Sequence, residues 1–578
     1  MRAIVLILLA GFCLPAFTLA EETESTQRAV DLDRLDALLT GLEAQGFSGA
    51  VAAGFVDGPA LQKAYGLADR EAGRRYRTDT VQTMGSITKP VTAAAILLLE
   101  GEGKLSLDET LADHFEDVPA DKREITLHQL LTHSAGFPGG IGPDNEAIGA
   151  GDFVERALAA ELEFEPGSGY AYSNVGYSLL GILIERISGQ GYEAFLRERL
   201  FEPLGMDATG YLLSDWDADQ RALGYRGGSL WGEVRGRGWR SDGPGWHLRA
   251  NGGLHTTVED MRRFVALLRG KGPLDEDAVA RWTEGYVDEG GGDSFYAYGW
   301  AVSDSPLGRL VAHNGGNGIF SADFLWFPER DFYLYIQGNT ATVPAADLRP
   351  MLLAALVDAD FPLPPDLEED GNSDPAKRLA GEWSGEAGRL SLRPDGPRLL
   401  AEATGSRLLR ALNQVPDGQG DRLDGFDEKT RTILSRIAAG EERVLDGFTD
   451  EDVAERSRRL RELFDRFPED ARIELAGSLP IAPESRFADY GTVGSYVRIE
   501  SDFGTRLATV LWQDDGNYRG TALGPASDLP GLVLVRMTSG GYRAVERQPP
   551  WRHYPVELQG DCLDIVSLTL CRTDSADQ

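Results

Sequence analysis

The chain has 578 residues, 42% of them hydrophobic, enough length and apolar content for more than one packed core. Acidic residues outnumber basic ones 92 to 57, a formal charge of −35, which argues against nucleic acid or an anionic membrane surface as a partner. At the N-terminus, Met1-Arg2 precedes an apolar stretch, Ala3 to Leu14, and Thr18-Leu19-Ala20 leads into Glu21-Glu22. This pattern predicts a signal peptide over residues 1–20, cut after Ala20, and a periplasmic or secreted mature chain with no transmembrane segment. Phe12 before Cys13 is not the small residue that a lipoprotein site requires.

The first element with chemical content is Ser86-Ile87-Thr88-Lys89, followed by the apolar run Pro90 to Leu99, which predicts a buried helix. Residues at i and i+3 share a helix face, so the lysine amine can reach the serine hydroxyl, and burial would disfavour its charged form and make it a usable base. Of the seven lysines, Lys89 alone has Ser at i−3. Next come the turn-rich Glu165 to Gly169 and Tyr172-Ser173-Asn174, leading into a helical pattern through Val175, Leu179, Leu180, Leu183, Ile184 and Ile187 that stops at Ser188-Gly189. Tyr172 and Asn174 are thereby predicted on a loop entering a helix. A meander of short antiparallel strands follows: Tyr298–Val302, Arg309–His313, Ile319–Phe327 and Phe332–Gln337, with turns at Asp304–Gly308 and Pro328–Asp331. It carries the third motif, His313-Asn314-Gly315-Gly316. Each motif also has a structural alternative: Ser86 as a helix N-cap, Lys89 as a solvated first-turn residue, Tyr172 as a packed loop residue, Asn174 as a cap, and His313 as a strand histidine.

In these three motifs the chain resembles the serine β-lactamase and penicillin-binding-protein superfamily, in particular its class C β-lactamase, D-Ala-D-Ala carboxypeptidase, D-aminopeptidase and esterase branch. Further strings support it: Tyr65–Asp69, Leu127–Phe137, Tyr172–Gly181, Pro203–Met206 and Gly252–Leu254 leading into Thr256–Asp260. The resemblance covers roughly residues 30–360. It implies an α/β (α+β) catalytic domain, an antiparallel sheet flanked by helices with an all-helical subdomain, and a serine hydrolase working through an acyl-enzyme without a cofactor or metal. Carried over, Ser86 is the nucleophile, Lys89 its base and Tyr172 the second member of the proton relay. Asn174, His313 and Gly315 are expected to face the substrate, and the backbone N–H groups of Ser86 and Gly316 to form the oxyanion hole. The implied partner is a small-molecule or short-peptide substrate. His133 and His255 lie in the supporting strings and are expected to stabilise loops.

The third motif departs from the Lys-Thr-Gly usual in lactamases and penicillin-binding proteins. A histidine near neutral pH is mostly uncharged, which weakens the case for a penicillin or a free D-Ala carboxylate. The resemblance therefore favours a D-amino-acid peptide, amide or ester as substrate. A β-lactamase is the alternative within enzymes, and a peptidoglycan-fragment or partner-binding protein with a vestigial site is the alternative outside them.

The catalytic portion, residues 21–360, is expected to end at a proline-rich then acidic linker, 361–375. Residues 376–578 then read as β-rich. Strand candidates at 381–384, 389–392 and 398–401 are followed by two helical stretches, one through Thr432, Ile433 and Ile437 and one through Val453, Leu460 and Phe464 capped by Thr449-Asp450-Glu451. Strands return at 471–475, 494–499, 505–512, 532–536 and 562–570. One account is a β-barrel in two halves, 376–418 and 524–578, with an inserted α+β module, 419–523; two consecutive small domains is the other. After the signal peptide only Cys562 and Cys571 remain, an even pair that can bridge in an oxidising compartment. Nine apart on one continuous strand they would face opposite sides, so a bridge requires a turn, and Val566 to Leu570 offers no strong turn signal. Bridged and free thiols both stay open.

Overall fold

The computed structural model describes residues 29–572 except 227, 291–292, 368, 372–373, 417, 450–451, 469, 482–489, 502–503, 526–528, 548–550 and 567; the predicted signal peptide, with Cys13, lies outside them. Helix α1 (Leu32–Ala44) starts at Asp31, whose carboxylate accepts the Arg34 N–H at 3.0 Å. It is followed by β1 (Gly49–Phe55) and β2 (Ala60–Tyr65). After a short 3₁₀ turn, Gly85–Ile87, comes α2 (Thr88–Gly101), then α3 (Asn174–Ser188), α4 (Arg249–Gly252) and α5 (Val258–Leu268). The meander supplies β3 (Val287–Asp288), β4 (Ser294–Tyr296), β5 (Ala301–Ser305), β6 (Gly308–Gly316), β7 (Ser321–Phe327) and β8 (Phe332–Gly338), and α6 (Arg349–Val357) completes this half. These strands form one antiparallel sheet of eight in the order β3-β4-β5-β6-β7-β8-β1-β2.

Both faces of that sheet are covered. Val51, Ala53, Leu325, Phe327, Leu334 and Ile336 pack with Leu35, Leu38, Leu352 and Leu356 of α1 and α6. Their strand neighbours Ala50, Ala52, Phe324, Trp326, Tyr333 and Tyr335 belong to the larger core that includes α2, α3 and α5. Every residue of β7 and β8 is therefore buried, and both read as continuous apolar runs. Helix α2 is enclosed from Thr88 to Leu99, so it too lacks a polar face. The strand predicted over Arg309–His313 runs on to Gly316, because pairing with β7 continues through Gly315↔Ala322 and Gly316↔Ser321. The third motif is thus held inside the sheet.

After residue 380 lie β9 (Gly381–Gly385), β10 (Gly388–Asp395), β11 (Arg398–Thr404), α7 (Ser406–Leu412), α8 (Gly420–Ala438) and α9 (Val453–Phe464). Then follow β12 (Arg472–Pro480), β13 (Val493–Ser501), β14 (Gly504–Trp512), β15 (Tyr518–Pro525), β16 (Leu532–Arg536), β17 (Tyr542–Glu546), β18 (His553–Gln559), β19 (Cys562–Ile565) and β20 (Leu568–Arg572). A closed barrel runs β9-β10-β11-β16-β17-β18-β19-β20, and β12 to β15 form a separate four-stranded sheet. Val493, Val497, Val510 and Trp512 of that sheet pack against Leu423, Ile433, Leu460 and Phe464 of α8 and α9. The cap of α9 is Asp452, not the expected Thr449–Glu451, of which Asp450 and Glu451 lie outside the described residues. The expected single strand 562–570 is two: the chain reverses after Ile565, with Val566 at φ 48°, so Cys562 and Cys571 become cross-strand partners and are joined by a disulfide.

The barrel is tied to the first half by a buried ion pair and by hydrogen bonds. Arg70 meets the buried Asp395 at 2.5 Å, and Arg398 donates to the carbonyls of Ala44 and Glu43 at the end of α1, at 2.8 and 2.7 Å. Trp551 joins the α1/α6 core layer against Phe361.

Candidate active site

The nucleophile candidate sits where strand gives way to helix. Gly85 takes a left-handed φ of 55° and turns the chain so that Ser86 lies in the 3₁₀ turn ahead of α2. Thr88 Oγ1 donates to the Gly85 carbonyl at 2.8 Å and accepts the Leu254 N–H at 3.2 Å, which fixes the turn against the Gly252–Leu254 segment. No side chain caps α2, so Ser86 is not spent on an N-cap.

Lys89 is fully buried, the opposite of a solvated first-turn residue. Its Nζ lies 3.1 Å from Ser86 Oγ and donates to the Asn251 carbonyl at 3.0 Å. It also lies 4.6 Å from the centre of the Tyr172 ring. Burial holds the amine well below its ordinary pKa, and the charge of Asp144 pulls modestly the other way. A neutral amine with a free lone pair at hydrogen-bond range of a hydroxyl is a general base in position.

Tyr172 lies beside this pair, its ring under the Lys89 amine. Its phenol is raised above its ordinary range, chiefly by burial, while the Ser86 hydroxyl opposes the rise; the ring is still 37% exposed, so solvent tempers the effect. Ser173 is the N-cap of α3, accepting the Gly176 N–H at 3.4 Å, which leaves the Asn174 side chain free of capping duty. Asn174 donates its backbone N–H to the Gly139 carbonyl at 3.0 Å, and its Oδ1 is buried without a hydrogen-bond partner.

His313 is enclosed, and both ring nitrogens are occupied. Nδ1 lies 2.5 Å from the Asn314 carbonyl and Nε2 lies 3.1 Å from the Tyr296 hydroxyl. Burial pushes its pKa down to about 3, with Lys89 adding to the effect and the Asn314 carbonyl opposing it. The third motif therefore presents no cation at neutral pH. Arg349 does not replace it, since it is engaged with the buried Asp323 at 2.5 Å.

The glycines of the third motif let β6 close on the nucleophile turn. A Cβ at Gly315 would lie 2.1 Å from the Met84 carbonyl oxygen and 2.7 Å from the Ser86 nitrogen, and one at Gly85 would lie 2.4 Å from the Gly316 nitrogen. The amides of Ser86 and Gly316 are thereby brought close together, as an oxyanion site requires.

The sequence pointed to three motifs; the structure adds residues that contact them. Asn251 anchors Lys89 through its carbonyl, while its side-chain amide donates to Ser178 Oγ and the His247 carbonyl, both at 2.9 Å. His133 packs its ring against Tyr172 and Tyr296, each at 4.4 Å. The only signals for these two were the strings Leu127–Phe137 and Gly252–Leu254 that contain or adjoin them. Cys562 and Cys571 belong to the barrel, not to this site. Among the described residues, no group of three or more His, Cys, Asp or Glu is placed to hold a metal ion, and no helix is long and apolar enough to cross a membrane.

Comparison with known proteins places the chain in a family. Esterase EstB of Burkholderia gladioli is 30% identical over 367 residues, 56% of this chain and 93% of that protein. Penicillin-binding protein 4* of Bacillus subtilis is 28% identical over 295 residues, 47% of this chain and 63% of that protein. A crystal structure of D-amino acid amidase from Ochrobactrum anthropi SV3 with L-phenylalanine superposes with a TM-score of 0.48 at 23% identity, over 56% of this chain and 95% of that one. The Beta-lactamase family model matches residues 35–358, so the chain belongs to the Beta-lactamase family of serine hydrolases.

Proposed function

We propose that the protein is a periplasmic or secreted serine hydrolase that works through an acyl-enzyme on Ser86, with a D-amino-acid peptide, amide or ester as substrate. The observation that carries the reading is the fully buried Lys89 with its Nζ 3.1 Å from Ser86 Oγ, where burial lowers the amine's pKa. In this reading Lys89 takes the hydroxyl proton as Oγ adds to the substrate carbonyl. The N–H groups of Ser86 and Gly316 receive the negative charge on the carbonyl oxygen, each such donor contributing about 3 kcal/mol to the barrier reduction. Collapse of the tetrahedral adduct expels the alcohol or amine, protonated through Tyr172, and leaves Ser86 acylated. Water, losing a proton to the Lys89–Tyr172 pair, adds to the acyl carbonyl and returns the free serine. Asn174 would hold the amide of the substrate, a role that its buried, unpaired side-chain oxygen supports.

The neutral His313 supports a substrate without a carboxylate at the third-motif side, and the esterase relative supports ester cleavage within that class. Residues 21–360 would be the catalytic unit, 361–375 the linker, and 376–578 an appended barrel with an inserted α+β module. The proposal of a periplasmic or secreted location rests on the sequence pattern of residues 1–20, which predicts a signal peptide.

The test is intact-protein mass spectrometry of the mature chain after separate incubation with a small activated ester, a D-amino-acid amide and a penicillin, with Ser86→Ala as control. A Ser86-dependent adduct or product with the ester or the amide is expected. Reaction with the penicillin alone would move the reading to a β-lactamase, and no Ser86-dependent reaction in any tube would refute the hydrolase reading.

A further inference from the structure

We infer that His133 is a positioning residue that holds Tyr172 in the cleft through the acceptor nitrogen of its ring. The inference rests on the reading of Ser86 and Tyr172 given above. The short helix Leu127–Leu131 ends with Ser134 N–H donating to the Gln129 carbonyl at 3.0 Å and His133 N–H to the Leu130 carbonyl at 3.5 Å, with His133 itself at φ 59°. This is a helix stop whose left-handed position is ordinarily filled by glycine. Glycine would take this conformation without strain, so what the histidine adds lies in the contacts of its side chain.

That work is visible on both sides of Tyr172. The His133 carbonyl accepts the Ala171 N–H at 3.0 Å, and its Nδ1 accepts the Ser173 N–H at 3.1 Å. The residue bracketed by these two bonds is Tyr172. An amide can only donate, so Nδ1 is the unprotonated nitrogen and the ring is neutral with its proton on Nε2. Burial holds the ring well below the ordinary histidine pKa, against taking a second proton. The same ring lies against Tyr296, whose hydroxyl meets His313, so His133 joins the second motif to the third.

The experiment compares kcat and KM on the ester or amide found reactive, for wild type, Tyr172→Phe, His133→Gly, His133→Asn and the Tyr172→Phe/His133→Gly pair. His133→Gly suits the backbone but removes the acceptor; kcat is expected to fall about 10- to 100-fold with KM within about threefold. Asparagine also accepts the left-handed conformation and places an oxygen where Nδ1 stood, so His133→Asn should stay within about threefold of wild type. In the Tyr172→Phe background His133→Gly should cost nothing further, because the two act as one unit. Full activity of His133→Gly, or an undiminished loss in the Tyr172→Phe background, would overturn the assignment. If His133→Gly does not fold, His133→Asn decides alone: a loss as large as that of Tyr172→Phe overturns it. A wild type without Ser86-dependent turnover, or a fully active Tyr172→Phe, would instead refute the underlying reading and this inference with it.

Discussion

Adding one methyl group at Gly315 tests the geometry of the candidate oxyanion site without touching any titratable group. In Gly315→Ala the new Cβ would start 2.1 Å from the Met84 carbonyl oxygen, against a floor of 3.0 Å for real contacts, and 2.7 Å from the Ser86 nitrogen. Strand β6 and the nucleophile turn must therefore part by about 1 Å, a displacement that costs roughly a hundredfold when it falls on reacting groups. Since the amide of Gly316 follows directly, the expected loss is that of a misplaced oxyanion donor, about 10²- to 10³-fold in kcat/KM or about 3 kcal/mol. Gly315 does not have a left-handed φ, so the effect is steric and not conformational. Overpacking there should also lower stability by about 1–3 kcal/mol. The assay is kcat/KM on an activated ester beside a urea melt of the same preparation. A folded Gly315→Ala within threefold of wild type would refute the argument that these amides receive the developing charge.

Two further outcomes follow from groups that burial holds neutral. Lys89→Met should abolish turnover yet raise stability at pH 7, because the wild type must discharge an amine on folding that stays charged in the unfolded chain; the folded pKa is the lower one, so this cost is largest at low pH, shrinks as pH rises and vanishes above roughly 10.4, and urea midpoints of the two proteins at pH 7 and pH 10.5 should converge. His313, with a pKa of about 3, and His255, with about 4, have folded values below their unfolded one, as has His133, so the stability they carry is present above about pH 6.5 and is lost as pH falls toward the folded values; His255 alone should cost about 1.4 kcal/mol between pH 7.5 and 5.5, read as a difference of that size between wild type and His255→Asn in the change of unfolding free energy over this range.

How much of this was legible in the sequence depends on the range over which each feature is made. Ser86 and Lys89 stand three apart at a helix start, so their approach follows from local geometry, and the run Pro90–Leu99 already implied the burial that neutralises the amine. The third motif was placed on a strand, but its depth in the sheet depends on pairing with β7, which extends β6 three residues beyond the predicted end. What the sequence could not supply was contact across the fold. Asn251 reaches Lys89 over 162 positions and His133 reaches Ser173 over 40, and neither has a spacing that marks it.

The second half was harder to read for a related reason. The barrel closes between β11 and β16, with the helices and the four-stranded sheet intervening in the chain, so no local signal joins its halves. Strand β18, His553-Tyr554-Pro555-Val556-Glu557-Leu558-Gln559, carries a proline and buries only Val556, and so lacks the alternation by which strands are recognised. The turn that brings Cys562 to Cys571 holds Val566 at φ 48°, where a β-branched residue is rare; no turn rule would have chosen it. There, pairing of β19 with β20 inside the closed barrel overrides the local preference, just as the helix stop at His133 is kept by a histidine where glycine would be easier. In both places the residue that breaks the local rule is explained by pairing outside its own turn, between neighbouring strands at Val566 and with Ser173, 40 positions on, at His133. At His133 that partner lies beside the candidate nucleophile, which is why the exception there points to function and the one at Val566 to packing.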